Sequence, residues 1–370
     1  MALGRVATTH TGSLPRPRPI LNLLQARDLG EIPEPTVFKN RLRLAVEEIV
    51  RKQAACGIDF VNDGELGKIS YATYTKDRLA GLSAVSKPRV GVLPDLVEFP
   101  EYAERVMPRF SGITAPVCEG PISYRGFEEI RRDCEALVAA VSQVSVAGAF
   151  MTATPPGVIG RWFANQYYPT YEEYLFAIAD AMKHEYDAIA AAGLTLQLDC
   201  PDLTGDRHAP GAKQAVAARE LHIDALNYAV RDIPREQMRL HICWGNYEGP
   251  HHLDTPLRDI INTVLKAKPA AISIEAANPR HAHEWKVFEE VKIPDDTILI
   301  PGVIDTTTHF IEHPELIAER VGRFAAIVGT DRVIAGTDCG FATFAGMDAV
   351  DPAIAWAKLG SVVQGTRLRH

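Results

Sequence analysis

The chain has 370 residues, of which 46% are hydrophobic and 23% charged, with a formal net charge of −8. That is the composition of a soluble globular domain, and its acidity argues against nucleic acid or an anionic membrane as the main partner. Residues 1–13 hold no leader-like apolar core and no later run reaches membrane length, so a cytoplasmic protein is expected.

Strand-like apolar runs alternate with helical patterns along the whole chain, the signature of a parallel sheet covered by helices. A first strand is expected at 5–9, a helix at 39–55 and a second strand at 59–61. A third strand follows at 144–150, then a helix at 171–192 that runs into Gly193, and a fourth strand at 195–198. Helix 215–230 leads to a fifth strand at 238–240, and helix 256–267, opened by Pro256, to a sixth at 271–274. Helix 281–291 precedes a seventh strand at 297–300, and helix 314–328, between Pro314 and Gly329, precedes an eighth at 332–335. Eight strands suffice to close an α/β fold of the (β/α)8 TIM barrel type, one catalytic domain over residues 1–370. Residues 68–134 are too long for a simple connection and form an insertion between the second and third strands. Such an insertion serves as a lid carrying a hairpin, as surface decoration, or as a face on which a second copy packs to make a homo-oligomer.

Six cysteines are scattered without a CxxC pair: Cys56, Cys118, Cys134, Cys200, Cys243 and Cys339. Disulfides are not expected, and each thiol is either core filler or a ligand. Cys56, Cys118 and Cys134 read as core.

Catalytic groups of such barrels sit at the C-terminal ends of the strands. In order, the residues found there are His10-Thr11-Gly12-Ser13, Asp63-Gly64-Glu65, Thr152 to Pro155, Asp199-Cys200-Pro201-Asp202, His241-Ile242-Cys243, Glu275, Asp305 with Thr306 to Thr308, and Asp338-Cys339-Gly340. His241 and Cys243 lie two apart, so an extended backbone projects both to one side. With Cys339 and Glu275 they offer one nitrogen, two sulfurs and a carboxylate, a tetrahedral zinc set. Two thiolates and a carboxylate over-neutralise Zn²⁺, so the site is a poor Lewis acid for carbonyls but can hold a substrate thiolate that stays nucleophilic. The carboxylate is the ligand most easily exchanged for that thiol.

These residues closely resemble the catalytic barrel of cobalamin-independent methionine synthase, and more closely still its shorter single-barrel relatives that include epoxyalkane:coenzyme M transferase. The resemblance runs from Thr8-Thr9-His10-Thr11-Gly12-Ser13-Leu14-Pro15-Arg16 to Thr337-Asp338-Cys339-Gly340, and its H-x-C, SIE and DCG elements are specific in combination. It implies one zinc per chain on His241, Cys243, Glu275 and Cys339, with no cobalamin bound. It also implies that Gly12 and Ser13 hold a substrate carboxylate or sulfonate, and that Glu65 and Asp199 hold an amino group. The family's histidine after strand seven, which protonates the leaving group, is replaced by Thr307 in Asp305-Thr306-Thr307-Thr308-His309. Asp305 matches a family acid that orients such a group, and His309 stands two residues displaced. The segment with Gly160-Arg161-Trp162-Phe163 and Tyr167-Tyr168-Pro169 is expected to shape the electrophile pocket.

The function so implied is zinc-dependent alkylation of a thiol, with a small thiol and an alkyl donor as partners. Methyl transfer to homocysteine and epoxide opening by coenzyme M are the two forms it can take, and a methylated corrinoid is a third donor. Two readings from other classes stand beside it: a non-catalytic small-molecule-binding barrel with structural zinc, and a lyase of the decarboxylase relatives that share the barrel.

Overall fold

Short runs of β-branched and apolar residues form strands where one face meets the barrel interior and the other a ring of helices. The computed structural model describes residues 5–31, 35–88, 93–110, 113–205 and 212–368. Among them the eight expected strands are β1 (Ala7–Thr8), β2 (Phe60–Val61), β3 (Gly148–Ala153), β4 (Thr195–Asp199), β5 (Met238–Ile242), β6 (Ala271–Ile274), β7 (Ile298–Pro301) and β8 (Ile334–Ala335). β2 through β7 pair in parallel in chain order, and β8 pairs with β1. Bridges Leu299↔Val333 and Gly302↔Gly336 join β7 to the β8 edge. The remaining seam, β1 to β2, is carried by Asp59. Its amide donates to Thr8 O (3.1 Å), and its carboxylate takes the Thr8 amide (2.8 Å) and a two-pronged contact from Arg5 (2.7 and 2.9 Å). The chain is thus a (β/α)8 barrel.

Helices Pro35–Cys56, Tyr171–Ala191, Ala212–Ala229, Leu257–Val264 and Pro314–Val328 fall where the sequence placed helices. The exception is 281–291, where only a 3₁₀ turn (Glu284–Lys286) and one α turn (Val287–Glu290) form. There His281 is drawn into the interior, with Nδ1 2.8 Å from Glu284 and Nε2 3.1 Å from Asp254, and its ring stacks on Trp244 at 4.1 Å.

Between β2 and β3 the chain makes its excursion. Strand Leu79–Leu82 pairs antiparallel with Val117–Tyr124, and helix Phe127–Val141 then joins the outer ring between helices Pro35–Cys56 and Tyr171–Ala191. The end of the 68–134 stretch therefore already belongs to the barrel's own helical layer. Residues 93–110 lie across the loop that follows β5. Asp95 accepts from the Tyr247 hydroxyl and the His251 amide, Tyr102 donates to Glu248 O (2.5 Å), and Glu98 stands 3.1 Å from His252. No described helix is long and apolar enough to cross a membrane.

Candidate active site

Register decides which side chains meet. His241 on β5 faces Asp199 on β4 and Ser273 on β6, and Arg239, two residues earlier, faces Gln197. Arg239 fills the layer beneath the site. Its guanidinium donates to Gln197 (2.5 Å), Thr9 Oγ1 (3.0 Å) and His10 O (2.9 Å) and lies 3.4 Å from the centre of the Phe150 ring. Burial pushes its pKa down to about 9, an unusual cost that a wholly apolar barrel core avoids.

Above that layer, His241, Cys243 and Cys339 bring one ligand atom each to within 4.8 Å of one another, all buried. The Cys243 and Cys339 sulfurs are 3.5 Å apart, too far for a disulfide of about 2.05 Å, and both thiols are free. His241 Nδ1 lies 3.2 Å from Ser273 Oγ, which leaves Nε2 buried without a partner among the described residues. Burial, aided by the Arg239 charge, pushes the imidazole down to about 3, so the ring is neutral and Nε2 is a ready ligand. The hydrogen bond that Cys243 gives to Cys339, and then burial, raise the Cys243 thiol well above its ordinary range. At Cys339 the bond with Cys243 favours the thiolate, but burial and the Glu275 charge carry the thiol upward. Two buried sulfurs that resist ionisation beside an orphaned imidazole nitrogen fit a cation that would satisfy all three.

Glu275 stands beside this group rather than within it. Its carboxylate accepts from the Trp244 amide and from Asn278 Nδ2, each at 2.8 Å, and burial, then the Cys243 charge, raises its pKa well above normal. Asp338 fixes the turn that follows, accepting from the amides of Ala276 (2.8 Å), Ala277 (2.8 Å) and Asn278 (2.7 Å). Sequence reasoning assigned Asp338 and Ser273 no role, although both adjoin assigned residues.

A cavity of about 1720 Å³ reaches this cluster and is lined by Ser13, Glu65, Asp199 and Asp202, and by Tyr102 and Met107 of the excursion. Gly12 and Ser13 come from the loop after β1. Ser13 Oγ accepts from the Ala342 amide (3.3 Å), its carbonyl takes the Phe341 amide (2.9 Å), and Gly340 leaves it room. Glu65 holds a left-handed backbone (φ 55°), which a side-chain-bearing residue adopts only when its surroundings enforce it. Arg16 does the enforcing: buried, it donates to the carbonyls of Glu65 (3.0 Å), Lys68 (2.8 Å) and Ala342 (2.6 Å). Asp63 caps the same turn by accepting from the Glu65 amide (3.0 Å). Glu65 Oε2 is buried and unpartnered among the described residues. Burial, then the negative charge of Glu65, pushes Asp199 up to about 8, and Glu65 is itself raised by burial.

The remaining assigned residues divide. Thr307 lines the cavity, but its amide (2.8 Å) and hydroxyl (2.9 Å) both donate to Asp305 Oδ1, and the Asp305 amide donates to Glu312 (2.9 Å). His309 is exposed, with Nε2 accepting from the Asp351 amide (3.3 Å); the structure does not bring it to the cavity. His10 is a buried neutral ring held by Gln53 at 2.8 Å and pushed down to about 4 by burial.

Residues 114–358 match the family model described as the cobalamin-independent synthase catalytic domain. The methionine synthase of Thermococcus kodakarensis is 25% identical over 369 residues, covering 100% of this chain and 94% of its own. That of Pyrococcus furiosus is 25% identical over 99% of this chain and 94% of its own. Among solved structures, a B12-independent methionine synthase from Shewanella sp. W3-18-1 in complex with selenomethionine superposes with a TM-score of 0.73 at 19% identity, over 98% of this chain and 97% of that one. A putative vitamin-B12 independent methionine synthase from Listeria monocytogenes gives 0.66 at 20% identity, over 98% of both chains. These two likenesses concern the fold.

Proposed function

Because the chain belongs to the cobalamin-independent synthase family, we propose that it is a zinc-dependent thiol S-methyltransferase acting on an amino-thiol, as the name methionine synthase implies for its relatives. The observation that carries this reading is the convergence of His241, Cys243 and Cys339 at the C-terminal mouth of the barrel, inside the cavity. One zinc ion would be held by these three, with Glu275 as the adjacent, exchangeable fourth ligand. Bound there, it would supply the positive charge that lets a substrate thiol ionise near neutral pH and remain nucleophilic.

The chain's own residues do the rest. Gly12 and Ser13 offer an amide and a hydroxyl to the anionic end of the thiol substrate. Glu65 and Asp199 share a buried wall, and burial raises both carboxyls. A substrate ammonium placed between them would relieve that cost and be held by charge-assisted hydrogen bonds. This favours homocysteine over a sulfonate thiol such as coenzyme M, which has no amine to offer, and makes epoxide opening by coenzyme M the second reading. Residues 93–110, pinned across the β5 loop, act as a lid that keeps water from the sulfur.

The test is metal analysis followed by a matrix of thiols against donors. One zinc per chain and a sulfur-alkylated product from homocysteine support the reading. A Cys243→Ser variant with full zinc and full turnover overturns it.

A further inference from the structure

A donor whose leaving group departs as a strong base needs a proton there. Thr307 gives its hydroxyl hydrogen to Asp305, and His309 lies outside the cavity. The wall after β4 carries a buried pair that zinc chemistry does not use. Asp202 lies in the 3₁₀ turn Pro201–Leu203 and lines the same cavity as Cys243 and Cys339. Its Oδ2 is 2.9 Å from Nδ1 of His222 on helix Ala212–Ala229, off the straight line of a hydrogen bond, with the side chains 2% and 4% exposed. His222 Nε2 in turn is 2.9 Å from the Tyr171 hydroxyl.

Two further observations single this pair out. Asp202 Oδ1 is buried and has no partner among the described residues, which costs free energy unless a transient partner uses it. Gly157 leaves the space in which the pair meets: a Cβ there would fall 2.0 Å from Asp202 Oδ2 and 2.7 Å from the His222 ring. Among the described residues, the other titratable or charged groups that face Asp202 are Arg161, Tyr171, Tyr186 and Cys200. Of these only Arg161 is permanently charged, and its guanidinium donates to the Asp202 carbonyl at 3.2 Å.

We propose that Asp202 is the proton donor of the alkyl transfer and that His222, steadied by Tyr171, is a positioning residue that returns a proton to it. The inference rests on the thiol-alkylation reading above. In the step, the thiolate sulfur forms a bond to the donor carbon and the carbon–X bond breaks with its electron pair going to X. X takes the proton from the Asp202 carboxyl. The proton released earlier by the thiol replaces it by way of His222, so that RSH and R′X give RSR′ and HX.

The experiment uses the zinc-loaded enzyme, one thiol and two kinds of donor. Iodomethane releases iodide, which needs no proton; methyltetrahydrofolate releases an amine anion, and epoxypropane opens to an alkoxide that stays on the product as its hydroxyl, and both of these need one. Asp202→Asn is expected to lower the ratio of proton-requiring to iodomethane turnover by about 10²- to 10⁴-fold, with zinc retained. His222→Asn should lower that ratio less and shift the pH dependence of kcat while leaving the KM of the thiol unchanged. Loss of both rates in parallel, or of neither, overturns the proposal. So does a wild type that uses iodomethane but neither proton-requiring donor. A wild type that alkylates no thiol even with iodomethane sinks the underlying reading, and this one with it.

Discussion

The carboxylate of Glu65 leans on the backbone of Gly12: a Cβ at residue 12 would stand 2.4 Å from Glu65 Oε1 and 2.8 Å from Thr152 Cγ2. Glu65 cannot retreat easily, because its left-handed backbone is clamped through its carbonyl by Arg16. Gly12→Ala is therefore expected to displace the carboxylate, and the alanine is also strained at the φ of 156° that Gly12 adopts. The KM for the amino-thiol should rise by about tenfold or more, a change of about 1.4 kcal/mol, with zinc still bound. Steady-state kinetics with parallel metal analysis check this, and an unchanged KM would remove Glu65 from the thiol site.

Removing the metal tests the cluster itself. The Cys243 and Cys339 sulfurs are 3.5 Å apart on elements 96 residues distant in sequence. Chelation should abolish turnover, and zinc should restore it. In the stripped protein a mild oxidant should consume two thiols and link residues 243 and 339, because nothing then separates the sulfurs. In the loaded protein both should be protected. Thiol titration and peptide mapping report the difference; equal oxidation of both forms would mean that the sulfurs hold no metal.

Much of this site was legible because barrel chemistry sits at strand ends, and strands announce themselves as apolar runs. The eight strands followed from those runs, and the H-x-C pair stood out because Cys339 and Glu275 ended other strands of the same ring. What escaped were the contacts across elements that no strand-end position announces. Asp202 stood in view after β4, but its partner His222 comes from the next helix, and no local pattern links them. His309 looked like a displaced acid because sequence distance cannot show that the backbone turns it outward to the Asp351 amide. The helix expected at 281–291 collapsed to single turns because His281 is held inside by two carboxylates, a tertiary bond that overrides helical spacing. Arg239 defied the rule that barrel interiors are apolar, and only its neighbours Gln197, Thr9 and Phe150 explain it.

His281 also gives stability a pH dependence. Burial opposes its charge, but the hydrogen bonds to Asp254 and Glu284, with the Glu275 charge, outweigh burial and carry it up to about 9. A histidine pKa raised on folding stabilises fully below the unfolded value, about 6.5, and the contribution is lost as pH rises through the folded value. The stability gap between wild type and His281→Asn should thus be widest at pH 6 and shrink by about 3 kcal/mol by pH 10. Denaturant unfolding of both proteins across that range measures it. A gap independent of pH would mean that His281 is neutral in the fold and serves only to pack against Trp244.

The contact between the excursion and the β5 loop makes the last prediction. Asp95 is buried in the excursion and receives the Tyr247 hydroxyl and the His251 amide from the loop that begins just after Cys243. Tyr247→Phe removes one charge-assisted donor while keeping the ring, at a cost of about 1–3 kcal/mol in the closure of this clasp. Residues 93–106 and 245–252 should then exchange backbone hydrogens faster together, since each holds the other, while the β4 and β5 strands beneath stay protected. If the lid excludes water from the reacting sulfur, the variant should also lose turnover without losing zinc, and added thiol should slow its exchange less than in the wild type. Hydrogen exchange with and without homocysteine separates the outcomes. Faster exchange throughout the barrel would mean that Asp95 and Tyr247 support the whole fold, and unchanged exchange in both segments would mean that the two are not coupled.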